Sequence, residues 1–157
     1  MDRIFHQNFK KIHFIGIGGI SMSGLAKLCL GMGYEVTGSD PARNAETDEL
    51  EALGVRIYAS HAEENVEGAD VAVFSSAIGA DNPELLHAVL SKKCVLSRGK
   101  FLGMVSRLFG RVVAVAGAHG KTTASALLAE VLIREGKDLC YHIGGVLKSQ
   151  GENTGCS

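Results

Sequence analysis

The chain has no tryptophan, only 2 prolines among 157 residues, and just 6% aromatic residues. So few flat rings leave little on which exposed nucleic-acid bases could stack. Neither charge is in excess: 16 Lys and Arg stand against 17 Asp and Glu, for a net charge of −1. Lys10-Lys11 and Lys92-Lys93 are isolated pairs, not part of a basic block. Nucleic acid and anionic membrane surfaces are therefore not expected as partners. No apolar stretch approaches the roughly 18 residues that cross a bilayer. Residues 1–7 contain no apolar region of the signal-peptide kind. Cys29, Cys94, Cys140 and Cys156 form no CxxC pair. Neither a disulfide framework nor a zinc site is expected, and reduced thiols in the cytoplasm are the default.

Glycine, in contrast, is plentiful at 20 residues, and hydrophobic residues make up 46%. That composition suffices for one domain with a sizeable core, or a small domain and part of another. Short apolar runs alternate with helical patterns. Strands are expected at residues 12–15, 34–38, 55–58, 71–74 and 94–96. Helices are expected at 25–30, 47–53, from Asn82-Pro83 onward, and at 99–109, with Gly54 as a C-terminal cap. This alternation predicts an α/β fold, a Rossmann-like, doubly wound and mostly parallel sheet. A second unit starts near Gly110. Residues 112–116 read as a buried parallel strand, followed by a glycine-rich loop, a helix to about Glu135, and a further strand near 139–143. Residues 149–157 read as a loop or frayed tail. The expected division is 1–109 for the first domain and 110–157 for the start of the second.

Each unit opens on a loop suited to phosphate. Gly16, Gly18 and Gly19 lie between a strand and a helix, with Asp40 about 20 residues later at the end of the next strand. Glycines there let the backbone approach a pyrophosphate, the helix N-terminus supplies N–H groups, and the acid can bind a ribose hydroxyl. The alternatives are a tight turn that needs glycine only for its backbone, and a dinucleotide cofactor. Ser21 in the third fingerprint position weakens the case for NAD. The second loop is Gly117, Ala118, His119, Gly120, Lys121, Thr122 and Thr123. Its backbone would wrap phosphates, Lys121 would reach the β/γ-phosphates, and the Thr122 hydroxyl would ligate Mg²⁺. Val115 stands where the general P-loop pattern has glycine. His119 reads as a residue beside the nucleotide, not as a catalytic base.

Taken together, the loops resemble those of the Mur ligase family. Residues 15–26 (IGIGGISMSGLA) resemble that family's opening motif, and Gly38-Ser39-Asp40, Ser75-Ser76-Ala77-Ile78 and Asn82-Pro83-Glu84 are similar to its next landmarks. Residues 117–123 resemble its ATP loop, a short Gly-x-x-Gly-Lys form that accounts for Val115. The alanine-adding branch is the nearest, and the branch that recycles muramyl tripeptide is the rival. The resemblance implies a first domain that binds UDP-N-acetylmuramate, a second that binds ATP, and a third for the amino acid, L-alanine. It implies Gly16, Gly18, Gly19, Asp40 and Ser76 at the UDP-sugar site. It implies ATP at the second loop, with Lys121 as the catalytic cation and Mg²⁺ at Thr122. The implied chemistry is phosphorylation of the muramate carboxylate, then attack by the amine on the acyl phosphate. Lys100 departs from the pattern, standing where the family usually has an acid. A chain ending at Ser157 is expected to lack the amino-acid domain, to be inactive by itself, and either to dimerise through residues 111–145 or to fold the helix of that stretch back onto the first domain. Outside the family, the rivals are an NAD-dependent oxidoreductase and a non-catalytic nucleotide-binding module.

Overall fold

The computed structural model describes residues 9–156; the signal-peptide reading of residues 1–7 concerns residues outside that range. The strands β1 (Lys11–Ile15), β2 (Glu35–Ser39), β3 (Arg56–Tyr58), β4 (Val71–Phe74) and β5 (Cys94–Ser97) form one sheet. Its order is β3-β2-β1-β4-β5, and every neighbouring pair is parallel. The connecting helices are α1 (Ile20–Gly31), α2 (Ala45–Ala52), α3 (Pro83–Leu90) and α4 (Arg98–Val105). The doubly wound parallel sheet expected from the strand–helix alternation is therefore present.

Alternation along the strands divides the core between two faces. Ile12 and Phe14 of β1, Val36 of β2 and Val71 and Val73 of β4 pack with Leu25 of α1 and Phe101 of α4. Phe14 and Phe101 meet edge to face, with ring centroids 5.7 Å apart. The opposite face carries Ile15, Ala72 and Phe74 against Ala88 and Leu85 of α3. His13 also points to that opposite face, fully buried, and this polar patch bears on the site below.

Local chemistry sets the helix ends. Asn44 caps α2 in a reciprocal capping box with Thr47. Asn82 caps α3 and Pro83 occupies its first turn, as expected. Gly54, at φ +88°, follows α2 and donates its N–H to Glu51 O. The first helix is longer than its apolar periodicity showed: it starts at Ile20, because Ser21 and Ser23 are polar residues on helical turns.

The second unit departs from expectation in four places. Residues 112–116 form no strand, and Val112 and Val113 are exposed. A parallel strand needs a neighbour for its ladder, and the described residues place none beside this run. Residues 149–157 were expected as a loop or tail, yet β7 (Glu152–Cys156) pairs antiparallel with β6 (Cys140–Leu147) as a hairpin. The polar sequence hid this strand because its partners are side chains of α1, not an apolar core. The spacing of Ala124, Leu127, Leu128, Val131 and Leu132 at i, i+3, i+4, i+7 and i+8 predicts one apolar face on α5 (Lys121–Arg134), yet that face is not the buried one: Leu127, Leu128 and Val131 are exposed. Ala126, Ala129 and Ile133 face Ile143 and Leu147 instead, because small residues let the hairpin approach the helix. Finally, the expectation of reduced thiols fails for Cys140 and Cys156, which form a disulfide across the first pair of the hairpin. Their separation of 16 residues has no short-range signature, and only the hairpin register brings them together. Cys29 and Cys94 are free; burial pushes the Cys29 thiol up to about 12, so it is an inert core residue.

Candidate functional site

In open parallel sheets, ligands bind beyond the carboxyl ends of the strands where the order reverses. Here the reversal lies between β1 and β4. Gly16 follows β1 and Ser75 follows β4, and both border a cleft of about 230 Å³ with Asp40, Pro41, His61 and Ile78. A second cleft of about 270 Å³ adjoins it, bordered by Gly19, Ser21, Ser75, Ser76, Arg98 and Gly144. Gly19 and Ser75 are common to both, so the two clefts form one groove.

The first glycine loop is held from beneath. Gly16, at φ +79°, needs glycine for its backbone, and its N–H and that of Ile17 donate to Ser39 O at 2.8 and 3.0 Å. Gly18 N–H donates to Asp40 Oδ2 at 2.9 Å, and Asn44 Nδ2 donates to Gly18 O at 3.1 Å. A Cβ on Gly18 would sit 2.9 Å from Asp40 Oδ2, so the close approach of this loop to Asp40 requires glycine. Helix α1 then starts without a side-chain cap; Met22 N–H donates to Gly19 O, and the N–H groups of Ile20 and Ser21 stand at the groove. The expected UDP-sugar residues Gly16, Gly19, Asp40 and Ser76 border the groove. Gly18 lies under the loop, bound to Asp40, and not on the groove wall.

Behind Asp40 lies a buried polar cluster. Glu84, fully buried on α3, accepts from Ser39 Oγ at 2.6 Å, Asn65 Nδ2 at 2.6 Å and His61 Nδ1 at 2.8 Å. Ser39 and His61 use Oε2 and Asn65 uses Oε1; His13 Nε2 lies 3.5 Å from Oε1, and His13 Nδ1 is 2.9 Å from Thr37 Oγ1. Burial raises the Glu84 carboxyl, but the adjacent His13 imidazole and hydrogen bonds from Ser39, Asn65 and His61 outweigh it and hold it below the ordinary range. The charged carboxylate thereby fixes His61 at the groove.

The second loop opens helix α5 as expected, but no strand precedes it. Gly120 caps α5 at φ +76°, in the left-handed region. Lys121 Nζ folds back to donate to Gly117 O at 2.6 Å and Ala118 O at 3.1 Å. Residues 117–124 are exposed. Thr122 lies against β6: a Cβ on Gly145 would be 3.1 Å from its methyl, and one on Gly144 would be 3.7 Å from its hydroxyl. Gly144 also borders the groove, so β6 brings the two glycine loops to neighbouring positions. Among the described residues no group of three or more His, Cys, Asp or Glu could hold a metal ion, and no helix is long and apolar enough to cross a membrane.

Several residues at the groove went unnoticed in the sequence. His61 and Arg98 each come just after a parallel strand, the same position as Asp40, and that placement was the available signal. Glu84 stood in the Asn82-Pro83-Glu84 stretch, and only the packing of α3 against β4, β5 and residues 63–66 reveals its partners. His142 had no sequence signal, since it reaches Ser21, on the groove wall, from a hairpin that was not expected. Lys100, the departure from the family pattern, is exposed on α4.

Known proteins carry the same features. The description "Mur ligase family, catalytic domain" matches residues 11–109. A UDP-N-acetylmuramate–L-alanine ligase from Acetivibrio thermocellus is 44% identical over 146 residues, covering 93% of this chain and 31% of that protein. One from Burkholderia lata is 48% identical, covering 92% of this chain and 31% of that protein. Among solved structures, the UDP-N-acetylmuramate–alanine ligase from Thermotoga maritima superposes with a TM-score of 0.85 at 33% identity, over 92% of this chain and 34% of that one. The UDP-N-acetylmuramate:L-alanyl-γ-D-glutamyl-meso-diaminopimelate ligase from Neisseria meningitidis superposes at 0.86 with 32% identity, over 93% of this chain and 46% of that one. The chain thus spans about a third of the curated relatives it matches. A parallel sheet with a glycine loop at its switch point, a matched stretch covering most of its length, and these likenesses agree: the chain belongs to the Mur ligase family.

Proposed function

We propose that this chain is the UDP-sugar-binding part, with the opening of the ATP-binding unit, of a peptidoglycan ligase that joins L-alanine to UDP-N-acetylmuramate. The observation that carries the reading is the groove at the β1–β4 switch point, with the second glycine loop beside it across β6. The cleft between Ile78, Pro41 and His61 suits a nucleobase, and Asp40 suits a ribose hydroxyl. Arg98 and the first turn of α1 suit the pyrophosphate. At the second loop, backbone N–H groups hold the ATP phosphates. Lys121 leaves the carbonyls of Gly117 and Ala118 to neutralise charge on the transferring phosphoryl group. Thr122 is the residue whose hydroxyl would hold Mg²⁺. When bound, that ion supplies charge neutralisation on the phosphates. The muramate carboxylate attacks the γ-phosphorus, ADP departs, and the amine of L-alanine then displaces phosphate from the acyl phosphate. The amino-acid site belongs to the remainder of a full-length ligase, so this chain alone is not expected to complete the reaction. A cytoplasmic location follows from the same reading, since nucleotide sugar and ATP are found there. The recycling ligase for muramyl tripeptide is the second reading, carried by the neisserial neighbour; the higher identity to alanine ligases ranks it below.

Calorimetry tests this reading directly. UDP-N-acetylmuramate and ATP with Mg²⁺ are expected to bind, and NAD is not; binding of NAD alone would overturn the assignment. Gly18→Val is expected to abolish binding of the UDP-sugar in a folded protein, because its side chain collides with Asp40 and Asn44. Unchanged affinity would remove the first loop from the site. Lys121→Ala should leave unliganded stability within about 0.5 kcal/mol, because the side chain is exposed, while removing the ATP-induced rise in Tm. A large loss of unliganded stability would make Lys121 structural.

The exposed face of α5 and the uncovered Val112 and Val113 also favour self-association of the isolated chain, which a longer ligase would prevent by covering them. Light scattering should show a mass that rises with concentration, and Leu127→Glu should return it to the monomer. A monomer at all concentrations would refute this.

A further inference from the structure

Ser21 and Arg98 border the groove, and His142 meets Ser21 from a third element, the hairpin. Arg98 Nη1 donates to Ser21 Oγ at 2.7 Å, and His142 Nε2 lies 3.0 Å from the same oxygen. The other imidazole nitrogen, Nδ1, is buried without a hydrogen-bond partner among the described residues. A buried unpaired N–H is rarer and costlier than an unpaired lone pair, so the proton belongs on Nε2 and is donated to Ser21. Ser21 Oγ then accepts twice, from Arg98 and from His142. Its two lone pairs are used, and its own hydrogen must point elsewhere. Ser21 borders the groove, so that hydrogen is available to an acceptor there.

We infer that His142 is a positioning residue for nucleotide-diphosphate recognition: by donating Nε2–H to Ser21, it turns the Ser21 hydroxyl into a fixed donor to an anionic oxygen in the groove. This rests on the proposed reading of the groove as a UDP-sugar site. It adds that recognition of the diphosphate depends on a side chain of the second unit.

The approach of His142 is built into α1. Gly24 lies in the interior of this helix, where glycine costs about 1 kcal/mol relative to alanine. A Cβ there would sit 2.9 Å from both Cε1 and Nδ1 of the imidazole. The glycine in the Ser21-Met22-Ser23-Gly24 stretch therefore serves the histidine, not a phosphate. Asn153 of β7 pins the same hairpin by donating to Ile20 O. Two and three residues beyond His142, Gly144 and Gly145 lie against Thr122 of the second loop. One short segment of β6 thus touches both glycine loops, so occupancy of one bears on the geometry of the other.

The test has two arms on the full chain. A long-range ¹H–¹⁵N spectrum of the unliganded protein reads the tautomer of His142, with protonated Nε2 expected; protonated Nδ1 overturns the inference without any substitution. Titrations with UDP and with uridine, which lacks the diphosphate, then compare the parent with His142→Leu, His142→Gln, Ser21→Ala and the Ser21→Ala/His142→Leu pair. His142→Leu should weaken UDP about tenfold, the scale of one charge-assisted hydrogen bond, and leave uridine within about twofold. His142→Gln keeps an N–H donor and should recover most of the loss. The double variant should be no weaker than Ser21→Ala alone. Equal losses for UDP and uridine, or losses that add in the double variant, overturn the inference. A parent that binds UDP while His142→Leu binds it equally well does the same, with the groove assignment intact. A parent that binds neither ligand overturns the groove assignment and the inference with it.

Discussion

Glu84→Ala is expected to destabilise the protein by about 3–5 kcal/mol, enough to lower Tm by roughly 10 °C in a domain of this size. The carboxylate is the common acceptor for Ser39, Asn65 and His61, at 2.6, 2.6 and 2.8 Å, in a space closed to water. Removing it leaves Asn65 with only its bond to Ser60 O, Ser39 and His61 with only each other, and a cavity between α3 and the sheet. Each unsatisfied buried group costs about 1–3 kcal/mol, and the cavity adds to that. Glu84→Gln keeps the volume and can still accept through its oxygen, so its loss should be smaller. Uridine affinity should fall in both, because His61 loses the anchor that presents it to the groove. Urea unfolding gives the stability. A loss under about 1 kcal/mol for Glu84→Ala would mean that the cluster is hydrated or already poorly satisfied.

That cluster marks the limit of what the sequence discloses. The sheet was legible because buried parallel strands are runs of apolar residues between glycine turns, and residues 71–74 match their strand to the residue. The glycine loops were legible because strand, glycines and helix occur in a fixed local order. Glu84, His61 and Asn65 are polar residues at unrelated positions, and only the β3-β2-β1-β4-β5 order places them around one carboxylate. The reading of residues 112–116 failed for the complementary reason. An apolar run reports a wish to be buried, and whether it becomes a strand depends on a ladder partner. The hairpin failed because Glu152, Asn153 and Thr154 carry no apolar alternation. Its attachment is polar: Lys27 of α1, its side chain 10% exposed, lies 2.6 Å from Glu49 and 2.7 Å from Glu152. Its apolar seam to α5 uses alanines, so the larger leucines pointed to the wrong face.

The hairpin's polar attachment makes its docking sensitive to acid before the sheet is. Burial lowers the His142 imidazole to about 4, and the nearby Arg98 guanidinium adds to the effect; Ser21, Gly24 and Asn153, the other groups against it, are uncharged. An unfolded histidine binds its proton near pH 6.5. Between these values the unfolded chain holds more protons than the folded one, so stability rises with pH across the window. His142 therefore contributes fully above pH 6.5, and its contribution is lost as pH falls from there toward 4. The full span corresponds to about 3 kcal/mol. Glu84 acts in a different window. Its folded pKa is lowered, so its contribution is complete above the unfolded carboxylate range and is lost only below about pH 4.5. The two are separable by measurement. Protection of the β6 amides against hydrogen exchange should decline from pH 6.5 to 4, after correction for the intrinsic exchange rate, while protection of β1 and β4 holds. In His142→Gln, which keeps the donor but cannot take up the proton, the decline across that window should vanish. Parallel curves for the parent and His142→Gln would show that another group governs the hairpin, and would remove His142 from its acid response.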